Sequence, residues 1–262
     1  MTYWQHSLLN EIRFRRPALD LLAGGLLCGV LVLLALQIPG VGTTYGLTVL
    51  CSYVLLAGML WKGWPRQGWS GAFWRHWHGH SVLTLGAANR VTLLRSIGVL
   101  FVLAAIPYPG LAADQAWPLA TVSLLVLILD GLDGWVARRT GTISDFGARF
   151  DMELDAALIM GLAVLLVVLE RAGVWVLAIG LIRYGFVLAG LVWPWLQAPL
   201  PPSFRRQLIC VWQVSALLAC LPPVLPIWAI HTSLAVALGL LSASFIIDIL
   251  WLQRHASASN HD

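Results

Sequence analysis

The stretch Asp130-Gly131-Leu132-Asp133-Gly134-Trp135-Val136-Ala137-Arg138, then eight residues, then Gly147-Ala148-Arg149-Phe150-Asp151-Met152-Glu153-Leu154-Asp155, carries six of the chain's twelve acidic residues within 26 positions. Asp130 and Asp133 stand at i and i+3, and Asp151 and Asp155 at i and i+4. In a helix each of these pairs shares one face, so the spacing predicts two acidic helix faces joined by a short loop. The acids lie at the ends of two apolar runs, Trp117 to Val136 and Leu154 to Leu169. What surrounds those runs decides the fold.

They are two of eight such runs in a chain of 262 residues that is 59% hydrophobic and only 11% charged, with a mean hydropathy of +0.82. A soluble domain carries about 25% charged residues, so too little polar surface is present to coat a globule. The composition predicts an integral membrane protein and excludes disordered, collagen-like and disulfide-stapled secreted chains. A hydrocarbon layer of ~30 Å takes about 20 mostly apolar residues to cross as a helix. The other runs are Pro17 to Ile38, Thr44 to Leu60, Val91 to Leu111, Val174 to Trp195, Leu208 to Cys220 and Ile227 to Leu252. The run from Leu208 is short, and begins earlier or tilts. All are expected as helices, since lipid leaves no water for backbone groups and the alternation of a barrel strand is missing.

Basic residues set the orientation, because Lys and Arg collect on the cytoplasmic side. With the N-terminus inside, fourteen of the sixteen fall on inner segments: Arg13, Arg15, Arg16, Lys62, Arg66, Arg75, Arg90, Arg95, Arg138, Arg139, Arg149, Arg205, Arg206 and Arg254. Arg171 lies outside and Arg183 within a span. The expected localisation is a bacterial-type inner membrane, multi-pass, with both termini and the acidic stretch facing the cytoplasm. The net charge of +4 then reports topology, and no nucleic-acid partner is expected. The first run has a basic lead but is longer than a signal-peptide core and lacks a small-residue cleavage site, so it is expected as an uncleaved anchor.

The segments divide as residues 1–62, a two-span extension; 63–88, an interfacial connector rich in Trp and His; 89–254, a six-span catalytic domain; and 255–262, a polar tail. Trp64, Trp69, Trp74 and Trp77 among arginines suit the headgroup layer. His76, His78 and His80 within the connector make a weaker metal candidate, with no carboxylate or cysteine beside them. The cysteines Cys28, Cys51, Cys210 and Cys220 lie in apolar stretches without metal-site spacing, and are expected to pack.

An ionised carboxylate at the centre of a membrane helix costs about 2.5 to 3.5 kcal/mol even on the mildest insertion scale, and four close together repel. Something cationic should neutralise them. Hard oxygen ligands select Mg²⁺, Mn²⁺ or Ca²⁺, and two ions held by four aspartates suit a diphosphate whose oxygens complete the coordination. Small residues Gly134, Ala137 and Gly147 clear space for a bulky ligand, and Arg138 and Arg139 stand ready for phosphate oxygens, although Arg139 serves equally as an inside anchor. The bland reading is a solvated hairpin with ordinary surface charge, which would need neither the helical register nor the small residues.

The quoted stretch resembles the D-x-x-D-G-x-x-A-R-x8-G-x3-D-x3-D signature of the CDP-alcohol phosphatidyltransferases, with every specified position filled. The resemblance implies an all-α integral membrane protein with a six-helix core, here preceded by two extra transmembrane helices. It implies that Asp130, Asp133, Asp151 and Asp155 bind two Mg²⁺ or Mn²⁺ ions, with Asp155 as the base that takes the acceptor hydroxyl's proton. Gly134, Arg138 and Ser144 match positions that contact the CDP-linked donor, with Ala137 and Gly147 completing that site. Asn89-Arg90-Val91-Thr92 resembles the family's N-x-x-T entrance to the first core helix, which makes Asn89 and Thr92 donor contacts; a capping Asn and a packed Thr would look the same. The implied activity is transfer of a phosphatidyl group from a CDP-alcohol, CDP-diacylglycerol first among them, to a small hydroxylated acceptor, with release of CMP, in phospholipid biosynthesis. Implied partners are the CDP-linked lipid donor, that acceptor, membrane lipids and a second copy of the chain.

For the acceptor, Arg183, Arg205 and Arg206 are candidate phosphate contacts; a carboxylate partner for Arg183 and an anchoring role for the other two are the alternatives. The sequence departs from the phosphatidylglycerophosphate synthase pattern, with Met152 and Ala156 after the third and fourth aspartates; Met152 is similar to the inositol-using branch without assigning it. Two further readings stand beside the enzyme. A transporter whose aspartates coordinate a coupling cation would need polar residues along a through-path, and an inactive scaffold would not need a complete motif.

Overall fold

The computed structural model describes the backbone of residues 3–63, 87–140, 145–198, 200–201 and 203–258, and side chains over 18–61, 90–131 and 150–254 apart from 194, 197, 199 and 202. Among the described residues there are helices and turns and no strand. The helices are α1 (Tyr3–Ala35), α2 (Thr43–Gly63), α3 (Ala87–Ala104), α4 (Pro109–Asp114), α5 (Ala116–Thr140), α6 (Asp145–Val168), α7 (Leu177–Val192), α8 (Phe204–Ala219) and α9 (Ile227–Ala258). The protein is an all-α integral membrane protein. Four segments among the described residues are long and apolar enough to cross a bilayer: Ala18–Ala35, Thr43–Trp61, Val174–Val192 and Ile227–Arg254. The other four expected spans correspond to α3, α5, α6 and α8, where charged side chains or shortness interrupt the apolar window. Residues 64–86 of the connector, with His76, His78 and His80, lie outside the described residues.

The chain packs as two compact units, Met1–Asp114 with Thr121–Asp155, and Gln115–Ala120 with Ala156–Asp262. In the first, α1 and α2 form a hairpin closed by the turn Ile38-Pro39-Gly40-Val41. Val41 N–H donates to the Ile38 carbonyl at 3.2 Å, and Gly40 has φ 86°, the left-handed position that a turn with proline at its second place asks of its third. Small residues let the helices approach: a Cβ on Gly24 would lie 2.5 Å from Tyr53 Oη, and one on Gly46 would lie 2.8 Å from a Val32 methyl. Close approach through small side chains is how helices bind where lipid removes the hydrophobic drive between them. Tyr53 Oη donates to the Leu21 carbonyl at 2.6 Å.

The hairpin packs on α3. Tyr45 Oη donates to the Phe101 carbonyl at 2.8 Å, Thr48 and Tyr108 share a hydroxyl pair at 2.8 Å, and Arg90 Nε lies 3.0 Å from Asp20 of α1. That ion pair is exposed on the arginine side and contributes little by itself. Many leucines of the hairpin remain exposed, among them Leu22, Leu26, Leu33, Leu47 and Leu55, as befits faces that meet lipid.

α3 stops at Ala104 instead of running to Leu111. Pro107 and Pro109 remove two backbone donors and force the residues before them out of helical conformation. The chain turns through i+3 bonds from Ala105 and Ile106 into the short α4. α6, by contrast, begins at Asp145, nine residues before the expected Leu154, so one helix carries the whole second acidic face.

In the second unit, Gly180 of α7 sits so near α6 that a Cβ would lie 2.8 Å from Met160 Cε. Phe186 of α7 meets Phe245 of α9 edge-on at 5.3 Å, and Arg171 donates to the Pro222 carbonyl at 2.7 Å. α8 begins at Phe204, earlier than Leu208. Cys28 and Cys220 are buried as expected, but Cys51 and Cys210 are exposed; each faces outward from its helix, where a thiol is as apolar a surface as lipid requires.

Candidate active site

Two helices deliver the carboxylates. Asp130 stands near the end of α5, and Asp151 and Asp155 stand one turn apart on α6, so their shared face follows from the 3.6-residue period. The three come together: one carboxylate oxygen from each lies within 4.8 Å of the others, and all three residues are half-buried. Asp133 lies on α5 one turn beyond Asp130; its side chain is outside the described residues.

The cation among them is Arg95 of α3. Its Nη2 lies 2.8 Å from Asp130 Oδ1 and 2.6 Å from Asp155 Oδ1, while Nη1 donates to Asp151 Oδ1. The Arg95 side chain is 1% exposed, against about a third for each acid. The level at which it meets them is set by Gly98, one turn further along α3. A Cβ there would lie 2.5 Å from a Val126 methyl of α5, and Val126 precedes Asp130 by one turn. Close packing at Gly98 thus brings the start of α3 beside the end of α5.

By sequence alone Arg95 is one of the fourteen inner basic residues and carries no assigned role at the site. The signal was present: an arginine three residues past Thr92, inside an otherwise apolar run, is costly without a partner, and the acids needed a cation. Thr92 is buried on α3, on the same side of the helix as Arg95 by spacing.

The remaining predicted residues are distributed as follows. Asn89 lies in the first turn of α3, Gly134, Ala137 and Arg138 in α5, and Gly147 in α6, with their side-chain surroundings outside the described residues; Ser144 lies outside them altogether. Arg183, half-buried on α7, belongs to the second unit with Arg205 and Arg206 of α8. Arg205 donates to Ser244 Oγ at 2.5 Å and to Asp248 Oδ1 at 2.6 Å, Arg206 Nη1 lies 3.6 Å from Asp248 Oδ2, and Arg206 Nη2 donates to the Pro201 carbonyl. Asp248 of α9, which no spacing singled out, holds both.

With all three carboxylates ionised, these groups and the one guanidinium would sum to −2. The donors are all hard oxygens, and an ion bound at about 2.0 to 2.6 Å holds its ligands roughly 3 to 5 Å apart. The donor set and its spacing therefore fit a divalent cation such as Mg²⁺ or Mn²⁺.

The profile of the CDP-alcohol phosphatidyltransferase family matches residues 85–250, well over half of the chain. The chain belongs to the CDP-alcohol phosphatidyltransferase family. The match takes in α3 to most of α9 and leaves α1 and α2 outside. This phosphatidyltransferase-family chain is also 61% identical over 31 residues to a CDP-diacylglycerol--serine O-phosphatidyltransferase of Methanocaldococcus jannaschii. That alignment covers 12% of this chain and 15% of the relative, so the chain spans only a small part of the curated relative it matches. No solved structure matches.

Proposed function

We propose that the protein transfers a phosphatidyl or similar phospho-alcohol group from a CDP-alcohol, CDP-diacylglycerol first among them, to a small hydroxylated acceptor. The acceptor oxygen bonds to the phosphorus that carries the alcohol, the bond from that phosphorus to the CMP oxygen breaks, and the acceptor's proton passes to a base. The observation that supports this most is the meeting of Asp130, Asp151 and Asp155 from two helices, inside the segment that the family profile covers. Family membership also favours the transferase over a cation-coupled transporter.

Each residue has a proposed task. Asp130, Asp133, Asp151 and Asp155 hold two Mg²⁺ or Mn²⁺ ions, which when bound neutralise charge on the diphosphate. Asp155 accepts the proton. Asn89, Thr92, Gly134, Ala137, Arg138, Ser144 and Gly147 form the donor site, the small residues admitting the nucleotide and Arg138 meeting its phosphate oxygens. Arg183, Arg205 and Arg206 serve the acceptor; for the last two, a phosphate would compete with Asp248. Residues 1–62 are an extension to a catalytic domain at 89–254, joined by the connector at 63–88 and followed by the tail at 255–262. The site faces the cytoplasm of a bacterial-type inner membrane, where a lipid donor keeps its tails in the bilayer and its nucleotide in water. A homodimer is the proposed assembly.

The test is incubation of the purified protein with radiolabelled CDP-diacylglycerol and, in turn, serine, inositol, inositol phosphate, glycerol phosphate and choline. Serine heads the panel because the Methanocaldococcus jannaschii relative is named for it. Labelled lipid product with stoichiometric CMP is expected for one acceptor, lost on adding EDTA and restored by Mg²⁺ or Mn²⁺. Absence of CMP release with every acceptor removes the lipid donor, and activity that survives EDTA removes the metal.

A further inference from the structure

We propose that Arg95 is the standing counter-ion of the carboxylate site, a positioning residue that holds Asp130, Asp151 and Asp155 together until a divalent metal takes over their charge. The proposal rests on the metal reading given above and deepens it.

Three acids from two helices converge on one guanidinium that is itself 1% exposed. Nη2 serves both Asp130 at 2.8 Å and Asp155 at 2.6 Å, and Nη1 serves Asp151. The acids that pair that cation offset the cost of burying it. Reciprocally, carboxylate oxygens held within 4.8 Å of one another would push apart without it. Arginine suits the place because its planar fork offers several donors in fixed directions, whereas a lysine offers one compact charge. The fork is also fixed in height by the α3–α5 contact at Gly98.

An ion carrying two positive charges among the same acids is repelled by the guanidinium and competes for their charge. Metal and Arg95 therefore weaken each other's hold, and such coupling is reciprocal. Two consequences follow. Loss of Arg95 destabilises the metal-free protein more than the metal-loaded one, and the metal binds more tightly once Arg95 is gone. A merely structural arginine would lower stability equally with and without metal.

Thermal unfolding and Mn²⁺ titration of the full-length protein in nanodiscs test this on wild type, Arg95→Gln and Arg95→Lys. Arg95→Gln is expected to unfold earlier than wild type in EDTA, to recover most of the deficit when Mn²⁺ saturates, and to bind Mn²⁺ about tenfold more tightly or better, since a unit charge a few ångströms away has been removed. Arg95→Lys keeps the charge, and its Mn²⁺ dissociation constant is expected within about threefold of wild type. An unchanged or weaker Mn²⁺ affinity in Arg95→Gln, or a deficit that Mn²⁺ leaves in place, overturns the proposal. Tightening in Arg95→Lys equal to that in Arg95→Gln does so as well. A wild type that takes up no Mn²⁺ sinks the metal reading itself, a distinguishable outcome.

Should Arg95→Gln fail to fold, infrared difference spectra of wild type labelled with ¹³C at its guanidinium carbons carry the test. Mg²⁺ is expected to displace a guanidinium band that Arg95→Lys lacks; metal uptake with every such band unmoved overturns the proposal.

Discussion

Asp155 occupies the position where several demands meet. It lies one helical turn from Asp151, shares Nη2 of Arg95 with Asp130, and is the proposed proton acceptor. A positioned general base contributes about 10² to 10⁴ in rate, so Asp155→Asn is expected to cut CMP release by roughly that factor. The variant should still fold and bind most of its CDP-linked donor, since Asn is nearly isosteric and Asp130 and Asp151 remain. Turnover within about threefold of wild type would remove Asp155 from the proton transfer. At this scale the sequence already displayed the acids, because i+3 and i+4 spacing is a local property. It did not display which cation reaches them. Arg95, Arg90 and Arg138 are alike in a linear reading, and only burial and distance distinguish the one that the acids enclose. Likewise Arg205 and Arg206 stood out as a pair at a helix start, but Asp248, their partner, lies on another helix and has no neighbouring charge to mark it.

At the scale of elements, the contact that matters most for the site is made by residues with no chemistry. Gly98 of α3 leaves room for Val126 of α5, whose methyl would be 2.5 Å from an added Cβ. Valine is branched at Cβ and turns aside poorly, so the helices would have to separate. Gly98→Val is expected to cost about 1 to 3 kcal/mol by overpacking, read from unfolding in nanodiscs. Because the same approach sets the Arg95 to Asp130 pairing, CMP release should fall with it. Adding Val126→Ala to that variant relieves the clash and should recover much of both; a double variant no better than Gly98→Val would place the effect elsewhere. Helix existence was legible from hydropathy, and so was the division of the acidic stretch between two helices, α5 and α6. The ends were less so. Pro107 and Pro109 shortened the third run, while α6 starts at Asp145, ahead of the continuous apolar run, with Phe146, Phe150 and Leu154 at i, i+4 and i+8 continuing one helical stripe into it.

Across the whole molecule, the distribution of basic residues proposes an orientation in which the acidic site is cytoplasmic and the turn after α6 is external. In a background with Cys28, Cys51, Cys210 and Cys220 replaced, Glu170→Cys should react with a membrane-impermeant maleimide in intact cells, and Ser257→Cys only after the cells are opened. The reverse pattern would put the site on the wrong side for a cytoplasmic nucleotide. The two termini and the seven connecting segments alternate on this scheme, and each label tests the parity of the spans before it. Labelling at both positions in intact cells would likewise defeat the proposed topology.

The membrane class, the helical content, the acidic motif and the family were determined by the linear sequence, because hydropathy, charge bias and short fixed spacings need no partner from elsewhere in the chain. Tertiary structure alone decided that α1 and α2 pack on α3, that Asp248 engages Arg205 and Arg206, and that Arg95 reaches acids 56 and 60 positions away. Pairings at such separations depend on how closely helices approach and on which charge ends up buried, and both are properties of packed surfaces.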